Sequence, residues 1–220
     1  MIIKLIRHGQ SQQQTGDVNA TEIGDFKVPL SDIGIQEALH VGELIGSTFL
    51  TKSLIYTSPY TRCRQTIAGI INGSGALLQP DFTPRIFEDP RLREMEFGYN
   101  KSRSDIQNEK IKRETHGWFY YQMESGESPA NVYDRVSNFI ESMMRQVQRK
   151  RIPRVLIVSH GITIRCFAMR FLHLTVRDFD RLDNPENGDI ITIASKDMIT
   201  EPQFTNSKWA VSGLRFRQNA

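Results

Sequence analysis

Two apolar, strand-like runs that each end in a histidine and a glycine constrain this chain more than any other feature. Residues 2–6 lead into Arg7-His8-Gly9, and residues 155–158 lead into Ser159-His160-Gly161. Short runs rich in β-branched residues are typical of buried strands. Parallel strands of an open α/β sheet end at a common edge, where ligands bind. We therefore expect the two histidines to meet at one edge of a sheet, although about 150 residues separate them.

The rest of the pattern predicts alternating strands and helices. Ser31 is expected to cap a helix that runs to about Phe49, and Ser58 is expected to cap another. Apolar residues at helical spacing predict an amphipathic helix over 128–149 and a buried helix after His160. Such alternation favours a layered α/β fold with a largely parallel sheet. The strand-like runs lie at 2–6, 54–57, 155–159 and 189–195.

Length and composition predict a single domain over residues 1–220. The net charge of +3 is too small to indicate a nucleic-acid partner, and the basic run 149–151 is expected to close a helix, where cations complement the dipole. No apolar stretch approaches the 18 or so residues of a membrane span. The chain begins with a core strand, and Cys63 and Cys166 have apolar neighbours. We therefore expect a cytoplasmic protein with reduced thiols and no secretory signal.

The two histidines could serve either a metal centre or an anion site. A hydrolytic metal site usually adds carboxylates at ligand spacing, such as His-Glu-x-x-His, and the sequence contains no such motif. Arg7 lies beside His8, and Arg165 lies one helical turn after Gly161. Cations so placed would oppose a divalent metal and favour a phosphoryl group, whose oxygens suit the planar fork of an arginine. We therefore expect neither a metal nor a cofactor at this site.

Two further motifs lie between the histidines. One reads Ser58-Pro59-Tyr60-Thr61-Arg62, with Thr66 four residues beyond the arginine, and the other reads Leu92-Arg93-Glu94, with Gly98 four residues beyond the glutamate. Together with Arg-His-Gly and Ser-His-Gly, in this order, these motifs resemble those of the histidine phosphatase superfamily, the phosphoglycerate-mutase-like proteins. The resemblance extends over residues 2–195. It implies an α/β fold, a three-layer αβα sandwich with a central, mostly parallel sheet.

The resemblance also implies phosphomonoester hydrolysis through a phosphohistidine intermediate. His8 is expected to be the nucleophile, because a neutral imidazole can attack phosphorus without a deprotonating base. Arg7, Arg62 and a cationic His160, charged through phosphate and nearby carboxylates, would hold the transferring group. Glu94 would protonate the leaving oxygen and then activate water, as general acid–base catalysis permits.

Further residues are predicted around this centre. Glu96 rivals Glu94 as the acid, because strand alternation would point both carboxylates alike, and only the family spacing to Gly98 selects Glu94. Glu127 could be a second acid or, as we favour, a capping carboxylate near a helix start. The segment 99–126 is expected to form a lid or substrate wall, or else to pack its aromatic residues on the core. The predicted phosphate or substrate contacts are Gly9, Gln14, Tyr99, Trp118 and Gly161.

Departures from the mutase pattern favour net hydrolysis. Family mutases place Asn six residues after the first histidine, where this chain has Gln14, and Asn after the second His-Gly, where it has Ile162. Gln14 could still donate an amide N–H to phosphate. The prediction is a metal-independent phosphomonoesterase for a small phosphorylated metabolite or phosphopeptide, with neither nucleic acid nor membrane as a partner. The alternatives are a phosphoglycerate-mutase-type phosphotransferase and, in a different class, a catalytically idle protein-interaction module.

Overall fold

A computed structural model describes residues 1–98 and 103–217 of the chain. The strands are β1 (Ile2–Arg7), β2 (Leu54–Thr57), β3 (Ile86–Glu88), β4 (Arg154–Ser159), β5 (Leu182–Asp183), β6 (Ile190–Ser195), β7 (Phe204–Thr205), β8 (Trp209–Ser212) and β9 (Arg215–Phe216). The α-helices are α1 (Gln12–Thr15), α2 (Ala20–Ile23), α3 (Asp32–Ile45), α4 (Ser47–Leu50), α5 (Thr61–Gly73), α6 (Arg103–His116), α7 (Pro129–Lys150), α8 (Gly161–Leu172) and α9 (Val176–Arg181).

A seven-stranded sheet forms the centre of the described residues, in the order β3-β2-β4-β1-β6-β8-β7. The first four strands in this order are parallel, and β6 pairs with β1 in the antiparallel direction. The parallel strands β2 and β4 are buried almost throughout, as strands covered on both faces must be. The predicted α/β fold is confirmed, with its parallel part at the strands that carry the histidines.

Alternate residues of the strands face two separate helical layers. Leu5 and Ile157 join the core beneath α7 and α8, whereas Ile6 and Val158 join the core beneath α3 and α5. This alternation follows from the two-residue period of a strand. Helices α3 and α5 can approach closely because Gly73 has no side chain. A Cβ at this position would lie only 2.0 Å from the carbonyl oxygen of Leu39. Helices therefore cover both faces of the sheet.

Two predicted helix limits are wrong, and each has a local cause. The helix that begins after Ser31 ends at Ile45, because Gly46 adopts a φ of 71° and the chain then starts the short helix α4. The N-cap of α5 is Tyr60 rather than Ser58. The Ser58 hydroxyl instead lies 2.8 Å from Nε2 of His160. The residue expected to begin a helix thus contacts the second histidine instead.

Helix α7 confirms its prediction, since Ser128 caps it through the backbone N–H of Asn131. Its buried positions include one charged residue, Arg135, and most of the apolar residues at helical spacing, namely Val132, Val136, Phe139, Met143 and Val147. Arg149 and Lys150 occupy the last turn, where cations complement the helix dipole. Within residues 1–98 and 103–217, no helix combines the length and the apolar character that a membrane span requires.

The predicted lid segment is only partly visible, because 99–102 lie outside the described residues. Helix α6 occupies its middle, which the sparse apolar periodicity did not predict. Phe119 is only 5% exposed, and its ring centroid lies 5.1 Å from that of Phe179. Tyr120 is exposed. The aromatic part of the segment therefore packs mainly on the core, and a lid movement stays a prediction.

Candidate active site

The structure brings His8 and His160 together at the carboxyl edge of neighbouring strands. Arg7, at the end of β1, is in parallel register with Ser159 at the end of β4, and the backbone N–H of His8 donates to the Ser159 carbonyl. The two imidazole centroids are 5.1 Å apart. Residues separated by most of the chain therefore share one site because their strands are adjacent and parallel.

The contacts of His8 assign its protonation state. Its Nδ1 lies 2.8 Å from the carbonyl oxygen of Gly9, so Nδ1 carries the proton and donates it. Its Nε2 is then an acceptor and lies 3.2 Å from Nε of Arg62. Burial, reinforced by the charge of Arg62, lowers the pKa of His8 well below its usual value. His8 is therefore a neutral imidazole with its Nε2 lone pair directed toward the arginine.

Arg62 reaches the site from the first turn of α5 and is only 5% exposed. Besides His8, it contacts Nδ1 of His160 at 3.4 Å and forms an ion pair with Asp25. The motif residue Thr66, one turn later in α5, donates its hydroxyl to the Arg62 carbonyl and accepts the N–H of Gly9. These two hydrogen bonds connect the loop after His8 to the helix that carries Arg62.

His160 is fully buried and is held on several sides. Its Nε2 lies 2.8 Å from the Ser58 hydroxyl and 3.5 Å from the Cys63 sulfur. The Tyr60 ring lies edge-on to the imidazole, 5.0 Å between centroids. We expected a cation at His160, but burial and the charge of Arg62 lower its pKa well below the usual value. The expected cation is one that a bound phosphate charges, so that expectation stays a prediction.

Arg7 and Arg165 differ in their relation to the site. Arg7 lines the cavity, donates from Nη1 to the Pro185 carbonyl, and has a buried Nε without a hydrogen-bond partner in the described residues. Arg165 was expected beside the second histidine. It instead donates to the Phe179 carbonyl and stacks on that ring, 4.2 Å from its centroid. The side chain of Arg165 is therefore part of the core, whereas Arg7 has donor capacity left for an anion.

Glu94 lies in the wall of the same cavity, in the irregular segment that follows the 3₁₀ turn Pro90–Leu92. Its Oε1 accepts the N–H of Met95 at 3.0 Å and lies 3.4 Å from the Thr163 hydroxyl. Desolvation raises the pKa of Glu94, against the opposing effects of the Met95 N–H and of nearby Arg62. Glu96 also lines the cavity, but in a segment that forms no strand. The predicted strand alternation of the two carboxylates is therefore wrong.

A buried ion-pair network holds the Glu94 segment in place. Arg135 donates to the carbonyls of Arg91, Arg93 and Glu94, at 2.6, 2.9 and 3.1 Å respectively, and to the carboxylate of Glu127. Glu127 also accepts from the Arg93 guanidinium and from the backbone of the same segment. The predicted capping role of Glu127 is wrong, since Ser128 caps α7. Glu127 instead pairs with Arg93 and Arg135 beside the segment that contains Glu94.

Arg135→Met is expected to lower the free energy of unfolding by about 3 kcal/mol, because three carbonyls and Glu127 lose a buried donor. Arg145→Met is the matched control on the same helix. Its side chain is 70% exposed and pairs with an exposed glutamate, so its effect should stay within about 0.5 kcal/mol. Urea unfolding measures both variants. Equal effects of the two substitutions would contradict the network.

The open cavity at this edge has a volume of about 470 Å³. Gln14 lines it, but its amide N–H donates to Asn187. Gly9 and Gly161 are not among the lining residues, and a Cβ at either would clash, with Gly34 and Asn184 respectively. Trp118 lies elsewhere, against Phe179 and Arg165, and Tyr99 falls outside the described residues. The lining residues are Arg7, His8, Ser11, Gln13, Gln14, Ala20, Thr21, Gly24, Asp25, Arg62, Glu94, Met95, Glu96, Phe97 and Gly98.

Sequence reasoning missed two residues of this site and its support. Arg135 had a usable signal, because a charged residue on the apolar stripe of α7 needs buried partners. Asp25 had none, because it stands in a loop without periodicity, 37 residues before the arginine that it pairs with. In the part of the chain that the structure describes, no three His, Cys, Asp or Glu residues gather as a metal-binding group.

Comparison with known families decides where this arrangement belongs. The family model described as the histidine phosphatase superfamily (branch 1) matches residues 3–207. This chain belongs to that superfamily. The match includes the four motifs described above, and three of them place His8, Arg62 and His160 in mutual contact.

Relatives within the superfamily carry both mutase-like and phosphatase names. Phosphoglycerate mutase-like protein AT74 of Arabidopsis thaliana is 32% identical over 86% of this chain and 63% of its own length. Broad-range acid phosphatase DET1 of Saccharomyces cerevisiae is 29% identical over 65% of this chain and 59% of its own length. The chain thus spans about three fifths of each of these two relatives. A mycobacterial glucosyl-3-phosphoglycerate phosphatase, solved with VO3, has the same fold, with a TM-score of 0.68, 19% identity and coverage of 98% and 96%.

Proposed function

We propose that this histidine phosphatase hydrolyses small phosphomonoesters through a phosphohistidine at His8, without a metal. The observation that carries the proposal is the neutral His8 imidazole, whose Nδ1–H is donated to Gly9 while Nε2 faces Arg62. An imidazole held in this tautomer needs no base to attack phosphorus. The phosphatase name of one relative supports the same assignment.

The first chemical step transfers the phosphoryl group to the enzyme. A bond forms between Nε2 of His8 and phosphorus, while the bond between phosphorus and the ester oxygen breaks. Glu94 gives its proton to the departing oxygen, a role that its raised pKa supports. Arg62 and Arg7 stabilise the charge on the transferring oxygens. The anionic group also favours proton uptake by His160, which would then become a further donor.

The second step returns the enzyme to its starting state. Water attacks the phosphorus, and the Glu94 carboxylate takes one of its protons. The bond between phosphorus and Nε2 breaks, inorganic phosphate leaves, and His8 is again neutral. Atoms and protons balance over the two steps, since the proton lost to the leaving group is recovered from water. Neither step uses a metal or a cofactor.

Hydrolysis of para-nitrophenyl phosphate with and without EDTA tests the proposal. We expect turnover that chelation leaves unchanged, because only side chains act in the two steps. Turnover that EDTA abolishes and a divalent metal restores would overturn the metal-independent route. The absence of turnover with aryl and alkyl phosphates alike would favour the idle interaction module instead.

A mutase activity is the second candidate, because one relative is named a phosphoglycerate mutase-like protein. Its substrates carry a carboxylate besides the phosphoryl group and therefore need additional cations. Within the described residues, Arg7 and Arg62 line the cavity, and no further lysine or arginine does so. The cavity therefore lacks an additional cation for the carboxylate, which favours hydrolysis. Incubation with 3-phosphoglycerate and a 2,3-bisphosphoglycerate primer separates the two. Release of inorganic phosphate supports hydrolysis, and formation of 2-phosphoglycerate supports the mutase.

A further inference from the structure

Arg62 uses all of its hydrogen-bond donors, and Asp25 accepts three of them. A guanidinium has five N–H groups. Nη1 donates to the backbone carbonyl of Asp25 at 2.8 Å and to its Oδ1 at 2.9 Å, and Nη2 donates to Oδ2 at 3.1 Å. The remaining two N–H groups, on Nε and Nη2, face Nε2 of His8 and Nδ1 of His160. The arginine is therefore divided between a carboxylate and the two histidines.

Asp25 and the two histidines thus contact different edges of the guanidinium. Arginine binds oxyanions in two bidentate ways, through Nη1 and Nη2 at its end or through Nε and Nη2 at its side. Asp25 occupies the end, so the side is presented between the two imidazoles. A phosphoryl group that joins Nε2 of His8 must displace the Arg62 bond to that atom. That displacement frees Nε, and proton uptake by His160 at Nδ1 would free the Nη2 group beside it, so that both could donate to the phosphoryl oxygens.

The loop that carries Asp25 is built to hold this carboxylate at the arginine. Gly24, with a φ of 87°, turns the chain into the 3₁₀ turn Asp25–Lys27. The Gln65 side chain, one turn beyond Arg62 in α5, accepts the backbone N–H of Leu30 at 2.7 Å. The far end of the loop is therefore attached to the same helix that carries the arginine.

We propose that Asp25 is a positioning residue, which orients Arg62 so that its Nε and Nη2 receive the phosphoryl group bidentately. The proposal rests on the phosphohistidine function proposed above. It assigns Asp25 no contact with the transferring group. The competing possibility is that the Asp25 carboxylate occupies the place of the phosphate and must be displaced by it. The two possibilities predict opposite effects when the charge is removed.

Asp25→Asn is expected to lower kcat/KM for para-nitrophenyl phosphate by on the order of 10²-fold, because a misplaced Arg62 would slow phosphoryl transfer by that much. Binding of orthovanadate, measured by calorimetry, should weaken in parallel. Asp17→Asn is the matched control, since Asp17 lies in the same connecting region, is exposed, and accepts from Thr15. A rise in rate and in vanadate affinity for Asp25→Asn would overturn the positioning role and support competition.

A double-mutant cycle distinguishes positioning from a merely structural role. A lysine ammonium lacks the two separate bidentate edges of a guanidinium, so Asp25 cannot orient it in the same way. Asp25→Asn in an Arg62→Lys background should therefore change kcat/KM by less than about 3-fold. Equal effects in both backgrounds would overturn the proposal. The ¹⁵N NMR signals of the Arg62 guanidinium give a readout without activity. Asp25→Asn should accelerate rotation about its Cζ–Nε bond, and an unchanged rotation rate would also overturn the proposal.

The outcomes separate this proposal from the proposed function. If the wild type binds vanadate and hydrolyses no ester, the proposed function fails, and the vanadate and NMR results still decide the role of Asp25. If the wild type hydrolyses esters and Asp25→Asn does so equally well, only the positioning role fails. A wild type that neither hydrolyses esters nor binds vanadate would overturn both.

Discussion

His8→Ala is expected to reduce phosphomonoester hydrolysis by at least about 10⁴-fold, because it removes the atom that bonds to phosphorus. Arg62, Arg7 and His160 remain, so binding of orthovanadate should weaken much less than turnover. Quenched single-turnover reactions with labelled substrate provide the direct measurement. The wild type should carry acid-labile, base-stable label on His8, as expected for phosphohistidine.

His40→Ala is the control for this prediction, because His40 is an exposed histidine on α3 whose contact is with Glu43. Its turnover should equal that of the wild type. Thermal unfolding of His8→Ala checks that the site rather than the fold is lost. Label on Ser11 or Cys63 in the wild type, or label that persists in His8→Ala, would contradict the mechanism. Cys63 is a poor competitor, because burial raises its pKa to about 12 and keeps the thiol protonated.

Glu94→Gln is expected to slow alkyl phosphate hydrolysis by roughly 10²–10⁴-fold, since glutamine cannot give a proton to the leaving oxygen. An alkoxide needs that proton, whereas para-nitrophenolate departs without it. Phosphoenzyme formation from the aryl ester should therefore slow much less. Breakdown of the phosphoenzyme should slow with both substrates, because water loses its base. Single-turnover kinetics distinguish the two steps, and phosphoenzyme should accumulate with the aryl ester.

The pH profile provides an independent check on Glu94. Burial lowers the pKa of His8 and raises that of Glu94, so the form with neutral His8 and protonated Glu94 gains population in mildly acidic solution. For alkyl esters, kcat/KM should fall as pH rises through the raised pKa of Glu94. In Glu94→Gln this alkaline decline should be absent, while any decline due to substrate ionisation remains. Glu96→Gln is the control, and a larger effect there would mean that the acid is misassigned.

The amino-acid sequence by itself determined the sheet that carries the site and the residues at its centre. The apolar runs before His8 and His160 are strands because β-branched residues buried on both faces leave few other structures. The strand-end position of each histidine follows from the glycine after it. These signals are local, so they could be recognised along the chain. Arg62 and Glu94 were predicted from the spacing of the motifs. That spacing indicates the family and does not give the positions of the side chains in space.

Only the tertiary structure decided which charged groups share the site and in what state. Arg165 follows the second histidine by one helical turn, yet the register of α8 directs it into the core against Phe179. Asp25 reaches Arg62 because a loop folds over α5, and no local pattern encodes that return. The lowered pKa of His160 likewise depends on complete burial and on the neighbouring guanidinium of Arg62. Electrostatics and side-chain direction depend on what surrounds a residue in space, and the order of residues along the chain does not contain that information.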